Sequence, residues 1–391
     1  MSRLALTAAA IFDGTRLHPD AAVLVEGSRA EAVVALDEIP PDVPRLALEG
    51  VLSPGFVDLQ VNGGGGVMLG AGATVDDIRR IAAAHRAMGT RALLPTLITD
   101  TPAATRAAID AVAAAIAAQV PGVLGLHLEG PHLDPSRHGA HDPRLIRPME
   151  DADEAVLLDA ARRLPNLKVT LAPDAVAHDR IARLAQAGIL VSLGHGDCTY
   201  ESARAAIDAG ARCVTHLFNA MSQMANRAPG LVGAALDDGR VSAGIIADGH
   251  HVHPASLRVA RAAKAAPGGL FLVTDAMAPA GTDATDFRLG ARRVLRADGC
   301  LRLEDGTLAG ADLDMARAVA VMQSAGGADL PEALAMATSR PAGLLRAPGQ
   351  AGRLIGAELD DLIVIDGNTG SARALPDPPA QYRAALGHEG G

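Results

Sequence analysis

A chain of 391 residues has room for two or three average domains, or for one α/β barrel with additions. Hydrophobic residues make up 49% and aromatics 2%, so a large core must be built from Ala, Val, Leu and Ile. The net charge of −10 argues against non-specific binding to nucleic acid or acidic membranes, and three cysteines without recognisable spacing point to reduced thiols.

The opening Leu/Ala stretch reaches Asp13 too soon for a secretory signal, and no run is long enough to span a bilayer. A soluble, cytoplasmic protein is expected. Residues 1–53 read as short strands and turns, with Phe12-Asp13-Gly14 marking a turn and 22–25 a strand. Pro54-Gly55 reads as a boundary.

Beyond it an alternation begins. Strand-like stretches fall at 56–59, 92–94, 123–128, 169–172, 189–193, 212–215, 241–246 and 270–274. Helical patterns separate most of them, at 75–88, 102–118, 151–163, 179–187, 200–209 and 254–265. Eight such strands predict a distorted (β/α)8 barrel over residues 54–345, in preference to a doubly wound sheet. Two further helices are expected at 311–324 and 331–340. Strand-like residues near 361–365 are expected to pair with the N-terminal strands, so that 1–53 and 346–391 form one small β-sandwich domain from both chain ends.

Four ionisable residues close predicted strands. Glu129 ends an apolar run that Gly130-Pro131 then breaks, and His195, His216 and Asp275 end three later ones. A charge placed there must be paired or bound to a metal. In a barrel all four reach the carboxyl-terminal mouth, where such folds place their sites. Two imidazoles and a carboxylate suit a catalytic metal with one position open to water, leaving Asp275 to act as base. His127 shares a face with Glu129 and is expected to pack beside the site. The run Asn62-Gly63-Gly64-Gly65-Gly66 lacks the Gly-Lys-Ser/Thr ending of a P-loop, which excludes nucleotide binding by that motif.

Asp58-Leu59-Gln60-Val61-Asn62 sits where barrels of the amidohydrolase superfamily carry Asp-x-His-x-His on the first strand. Gln60 and Asn62 are poor ligands beside His, so the departure implies one metal. The motifs His127-Leu128-Glu129-Gly130-Pro131, Gly139-Ala140-His141, Gly194-His195, His216-Leu217-Phe218-Asn219-Ala220-Met221, Asp248-Gly249-His250-His251 and Thr274-Asp275-Ala276 resemble those of N-acetylglucosamine-6-phosphate deacetylases. So does Gly306-Thr307-Leu308-Ala309-Gly310, and the order holds over nearly the whole chain.

That resemblance implies a homodimeric hydrolase that removes acetate from N-acetylglucosamine 6-phosphate. Glu129, His195 and His216 would hold one divalent metal, with zinc favoured over iron, cobalt or manganese. Asp275 would be the base, and His141 would polarise the acetyl carbonyl. Asn219, the backbone at Ala220, Arg227 and His251 would hold the phosphorylated sugar, with help from a neighbouring subunit, and Gln60 and Asn62 would stand beside the attacking water. Residues 222–226 depart from the His-rich run usual before that arginine, and Ala311 replaces an expected Ser. Three alternatives stay open: a deacetylase for the galactosamine epimer, a cyclic-amide hydrolase, and a barrel that binds sugar phosphate without turnover.

Overall fold

Capped amphipathic helices alternate with apolar strands along the middle of the chain. The structure, a computed structural model, describes residues 3–366 and 370–375. Eight parallel strands pair in chain order: β1 (Phe56–Val61), β2 (Thr90–Ile98), β3 (Leu126–Glu129), β4 (Leu167–Leu171), β5 (Leu190–Leu193), β6 (Cys213–Val214), β7 (Ser242–Ile245) and β8 (Leu270–Leu272). Each overlaps a stretch expected from sequence, and together they form the barrel.

Helices follow the strands: α1 (Val75–Ala87), α2 (Pro102–Ala117), α3 (Asp151–Arg163), α4 (His178–Gln186), α5 (Tyr200–Asp208), α6 (Gly230–Asp237), α7 (Pro254–Ala263) and α8 (Met315–Ser324). Their starts have a local cause. Thr74 accepts from the Asp77 N–H and Thr101 from the Ala104 N–H, and Asp314 caps α8 through the Arg317 N–H. Each such cap contributes about 1 kcal/mol. Their apolar faces join a core that holds Leu59, Ile78, Ile81, Val112, Leu184 and Ile207.

Two elements correct the reading from sequence. Helix α6 was not expected, because seven of its eight residues are buried and no polar face marks a 3.6-residue period. The helix expected at 311–324 begins only at Met315, since Leu308–Ala311 is a strand. That strand belongs to an inserted antiparallel sheet with Asp286–Leu289, Arg292–Ala297 and Cys300–Leu303. These short strands carry many charges, so their alternation is weak in the sequence. The last expected helix appears as Leu330–Ala337 followed by Ser339–Ala342.

The chain ends build two further sheets. One orders Arg29–Ala35, Ala21–Glu26, Arg3–Thr7 and Arg45–Ala47. The other joins both ends, with Leu362–Ile365 antiparallel to Val51–Pro54. Leu4, Leu6, Val23, Leu52, Leu362 and Val364 form the core of this unit. Residues 376–391 of the expected C-terminal part lie outside the described residues.

The barrel lumen below the mouth is polar. His127 lies between Thr96 Oγ1 at 3.1 Å and Thr170 Oγ1 at 2.7 Å, and the chain of hydroxyls continues to Thr215 at 2.7 Å and Ser192 at 2.6 Å. His127 is thus a satisfied interior residue beneath the site.

Candidate metal centre at the barrel mouth

The strands deliver their terminal side chains to one point. Glu129 Oε1 lies 3.0 Å from His216 Nε2 and 3.3 Å from His195 Nε2, and the two ring nitrogens are 3.0 Å apart. All three residues are buried. Ligands at the usual 2.0–2.1 Å from a tetrahedral zinc are separated by about 3.3 Å, so the triangle has the size of one face of such a site.

Hydrogen bonding supports the same fit. The main-chain carbonyl of Arg137 can only accept, so the 2.8 Å bond from His195 Nδ1 puts the ring hydrogen there. A ring carrying only that hydrogen turns a lone pair toward the Glu129 carboxylate, a repulsive contact that a cation between them would relieve.

His141 also comes close enough to group with Glu129 and His195. Its ring is arranged differently. The Thr99 backbone N–H donates to Nδ1 at 3.2 Å, which leaves the hydrogen on Nε2, 3.9 Å from Glu129 Oε2. Burial, then the neighbouring His195, lowers the His141 pKa to about 3, so the ring is neutral with its N–H on Nε2. Asp275 Oδ1 accepts from Asn62 Nδ2 at 2.7 Å and from Gln60 Nε2 at 3.1 Å. Burial, then the Glu129 charge, raises its pKa above the usual carboxylate value, as suits a base.

The backbone bends hard to achieve this. His195, His216, Ala220 and Asp275 have φ of 48°, 31°, 50° and 52°, in the left-handed region. Such a conformation costs a non-glycine residue about 1–2 kcal/mol, and its recurrence here marks a site that the surrounding fold holds in place.

A cavity of about 240 Å3 opens over the cluster. Asn62, His141, Asn219, Ala220, His251 and Asp275 line it. Two of the residues expected at the site do not line it. Gln60 is fully buried beneath the cluster, where Nε2 donates to Glu129 and Asp275, and it does not reach the cavity. Arg227 is exposed on the loop before α6 and is not part of the lining. A larger cleft of about 640 Å3 lies at the opposite end of the barrel. Its Arg212, Arg240 and Arg346 are bound by local carbonyls or carboxylates, so nothing there awaits a ligand.

Residues 51–384 match the Amidohydrolase family. The chain belongs to that family. It is 43% identical to the N-acetylgalactosamine-6-phosphate deacetylase of Shewanella sp. (strain ANA-3), over 83% of this chain and 82% of that one. Against the N-acetylglucosamine-6-phosphate deacetylase of Homo sapiens it is 37% identical, covering 81% and 80%. The crystal structure of N-acetylglucosamine-6-phosphate deacetylase from Pasteurella multocida superposes with a TM-score of 0.88 at 32% identity, covering 94% and 97%.

Some residues of this amidohydrolase site had no assigned role in the sequence reading. Thr99, at the end of β2, fixes the His141 ring and gave no sequence signal. Asp248 accepts from His251 Nδ1 at 2.6 Å and from the His250 and His251 N–H groups at 2.8 Å; its place three residues before His251 was the available clue. Thr307, Leu308 and Gly310 bring the inserted sheet to the cavity. At Gly310 φ is +69° and a Cβ would fall 2.8 Å from the Asp275 carbonyl, so only glycine fits this approach.

Proposed function

We propose that this amidohydrolase cleaves the acetamide of N-acetyl-D-glucosamine 6-phosphate, giving D-glucosamine 6-phosphate and acetate, in amino-sugar breakdown and cell-wall sugar recycling. The observation that carries the reading is one cavity lined by a Glu129–His195–His216 cluster, a neutral His141 N–H donor and the Asp275 carboxyl.

Glu129, His195 and His216 would hold one divalent ion; zinc suits two nitrogens and an oxygen, and iron, cobalt and manganese are the other candidates. When bound, the ion lowers the pKa of water to about 7 and polarises the acyl oxygen. The remaining work falls to the chain. Asp275 takes a proton from the attacking water and passes it to the amine as the C–N bond breaks. The His141 Nε2–H donates to the acyl oxygen as negative charge develops on it. Asn62 and Gln60 hold Asp275 in position.

Asn219, the Ala220 backbone and His251 hold the phosphorylated sugar. Among the described residues no Lys or Arg lines the cavity, so Arg227 would reach the phosphate from a second copy in a homodimer. The same reading divides the chain into a barrel of 54–345 and a terminal β domain of 1–53 and 346–391. Among the described residues no helix is long and apolar enough to cross a membrane, which accords with work in the cytoplasm on a soluble sugar phosphate.

The test is acetate release by metal-analysed protein from N-acetylglucosamine 6-phosphate, its galactosamine epimer and unphosphorylated N-acetylglucosamine. Turnover of the first well above the third supports the reading. Equal rates on those two would remove the phosphate site. Preference for the epimer would favour a second reading, motivated by the 43% identical relative named for N-acetylgalactosamine 6-phosphate.

A further inference from the structure

The barrel ladder runs from β1 to β8 without pairing its two ends. Near the mouth the seam is closed by a Val61–Ala276 bridge and by bonds from Asp275 N–H to the Gln60 carbonyl (3.0 Å) and from Asn62 N–H to the Ala276 carbonyl (2.9 Å). Asp58 sits in this joint, fully buried. Its carboxyl accepts from the Gln60 N–H at 3.1 Å, from the Thr274 N–H at 3.3 Å, and from the Thr274 hydroxyl. Thr274 precedes Asp275, and the Gln60 side chain bridges Glu129 and Asp275. One carboxyl therefore grips both residues that set where Asp275 stands.

We propose that Asp58 is a positioning residue, which clasps β1 to the end of β8 and thereby aims the Asp275 carboxyl. Its bonds go to Gln60 and Thr274, and it is not among the residues that line the cavity. The proposal rests on Asp275 being the base, but not on which sugar is bound. A carboxyl whose donors come from both strands can transmit a displacement of either strand to Asp275. A misplacement of about 1 Å at a reacting group can cost about a hundredfold in rate.

The experiment compares Asp58→Asn, Thr274→Val and Thr274→Ser in the metal-loaded full chain. For Asp58→Asn and Thr274→Val, kcat should fall about 10- to 100-fold with KM within about twofold and metal content unchanged. Thr274→Ser, which keeps the hydroxyl, should restore most of kcat. Amide hydrogen exchange in the peptide holding Thr274 and Asp275 should quicken about tenfold in the first two variants and stay slow in the third. Should Asp58→Asn fail to fold, the Thr274 pair decides the question. Wild-type kcat in Thr274→Val, or unchanged exchange, would overturn the proposal. An inactive wild type with responsive exchange would instead count against the proposed function and leave the clasp standing.

Discussion

The backbone N–H of Thr99 donates to Nδ1 of His141, 42 residues away, and so decides which face of the imidazole carries hydrogen. A backbone donor cannot be exchanged for an acceptor by side-chain substitution, so the tautomer is built into the end of β2. This neutral ring presents an N–H to the cavity, where the acyl oxygen gains charge. His141→Ala should lower kcat by about 10²–10³ with a small change in KM, the loss usual for one oxyanion donor. Steady-state acetate release checks this; a change confined to KM would make His141 a binding residue only.

Asp275→Asn keeps the shape of the side chain and removes its capacity to take a proton. Turnover should fall about 10²–10⁴-fold. The metal content should stay at the wild-type level, because the Glu129, His195 and His216 donor atoms are untouched. Activity near wild type in the metal-replete variant would show that another group is the base.

Asp248 holds His251 by its ring and by the backbone of the turn before it. Asp248→Ala leaves that ring without its carboxylate partner. A charged hydrogen bond contributes about 1.5–3 kcal/mol, so KM for the phosphorylated sugar should rise about 10- to 100-fold. The unphosphorylated sugar should show little change. Equal effects on both substrates would mean that Asp248 supports the cavity as a whole.

Burial raises the Asp58 carboxyl to about 7 from 3.8, against the opposing bonds from Thr274 and Gln60. Between those two values the folded chain binds more protons than the unfolded one, so this contribution to stability falls as pH rises through about 7. The raised pKa makes it a benefit fully present below 3.8 and lost at alkaline pH. Over the full window it is on the order of 4 kcal/mol. Denaturant unfolding of wild type and Asp58→Asn at pH 5 and pH 8 isolates the effect. Wild type should be favoured over the variant by more at pH 5 than at pH 8; a gap that is flat or widens with pH would refute it.

The strand positions were legible because each barrel strand is an apolar run bounded by breakers, and most helices have a local cap. Glu129, His195, His216 and Asp275 were legible for the same reason, as polar residues at the ends of apolar runs. Helix α6 was hidden by burial on almost every side, which erases periodicity. The inserted sheet was hidden by short strands rich in Arg and Asp.

The sequence by itself determined the order of strands, the residues that end them and the donor types gathered at the mouth. All of these follow from local hydrophobic period and chain punctuation. Tertiary structure alone decided that His141 donates while His195 offers a lone pair, that Gln60 lies under the cluster, and that Arg227 stands away from the cavity. It also decided that Asp58 closes the seam by gripping Thr274, 216 residues away. These outcomes depend on distances through space between residues remote in the chain, and local periodicity carries no record of such distances.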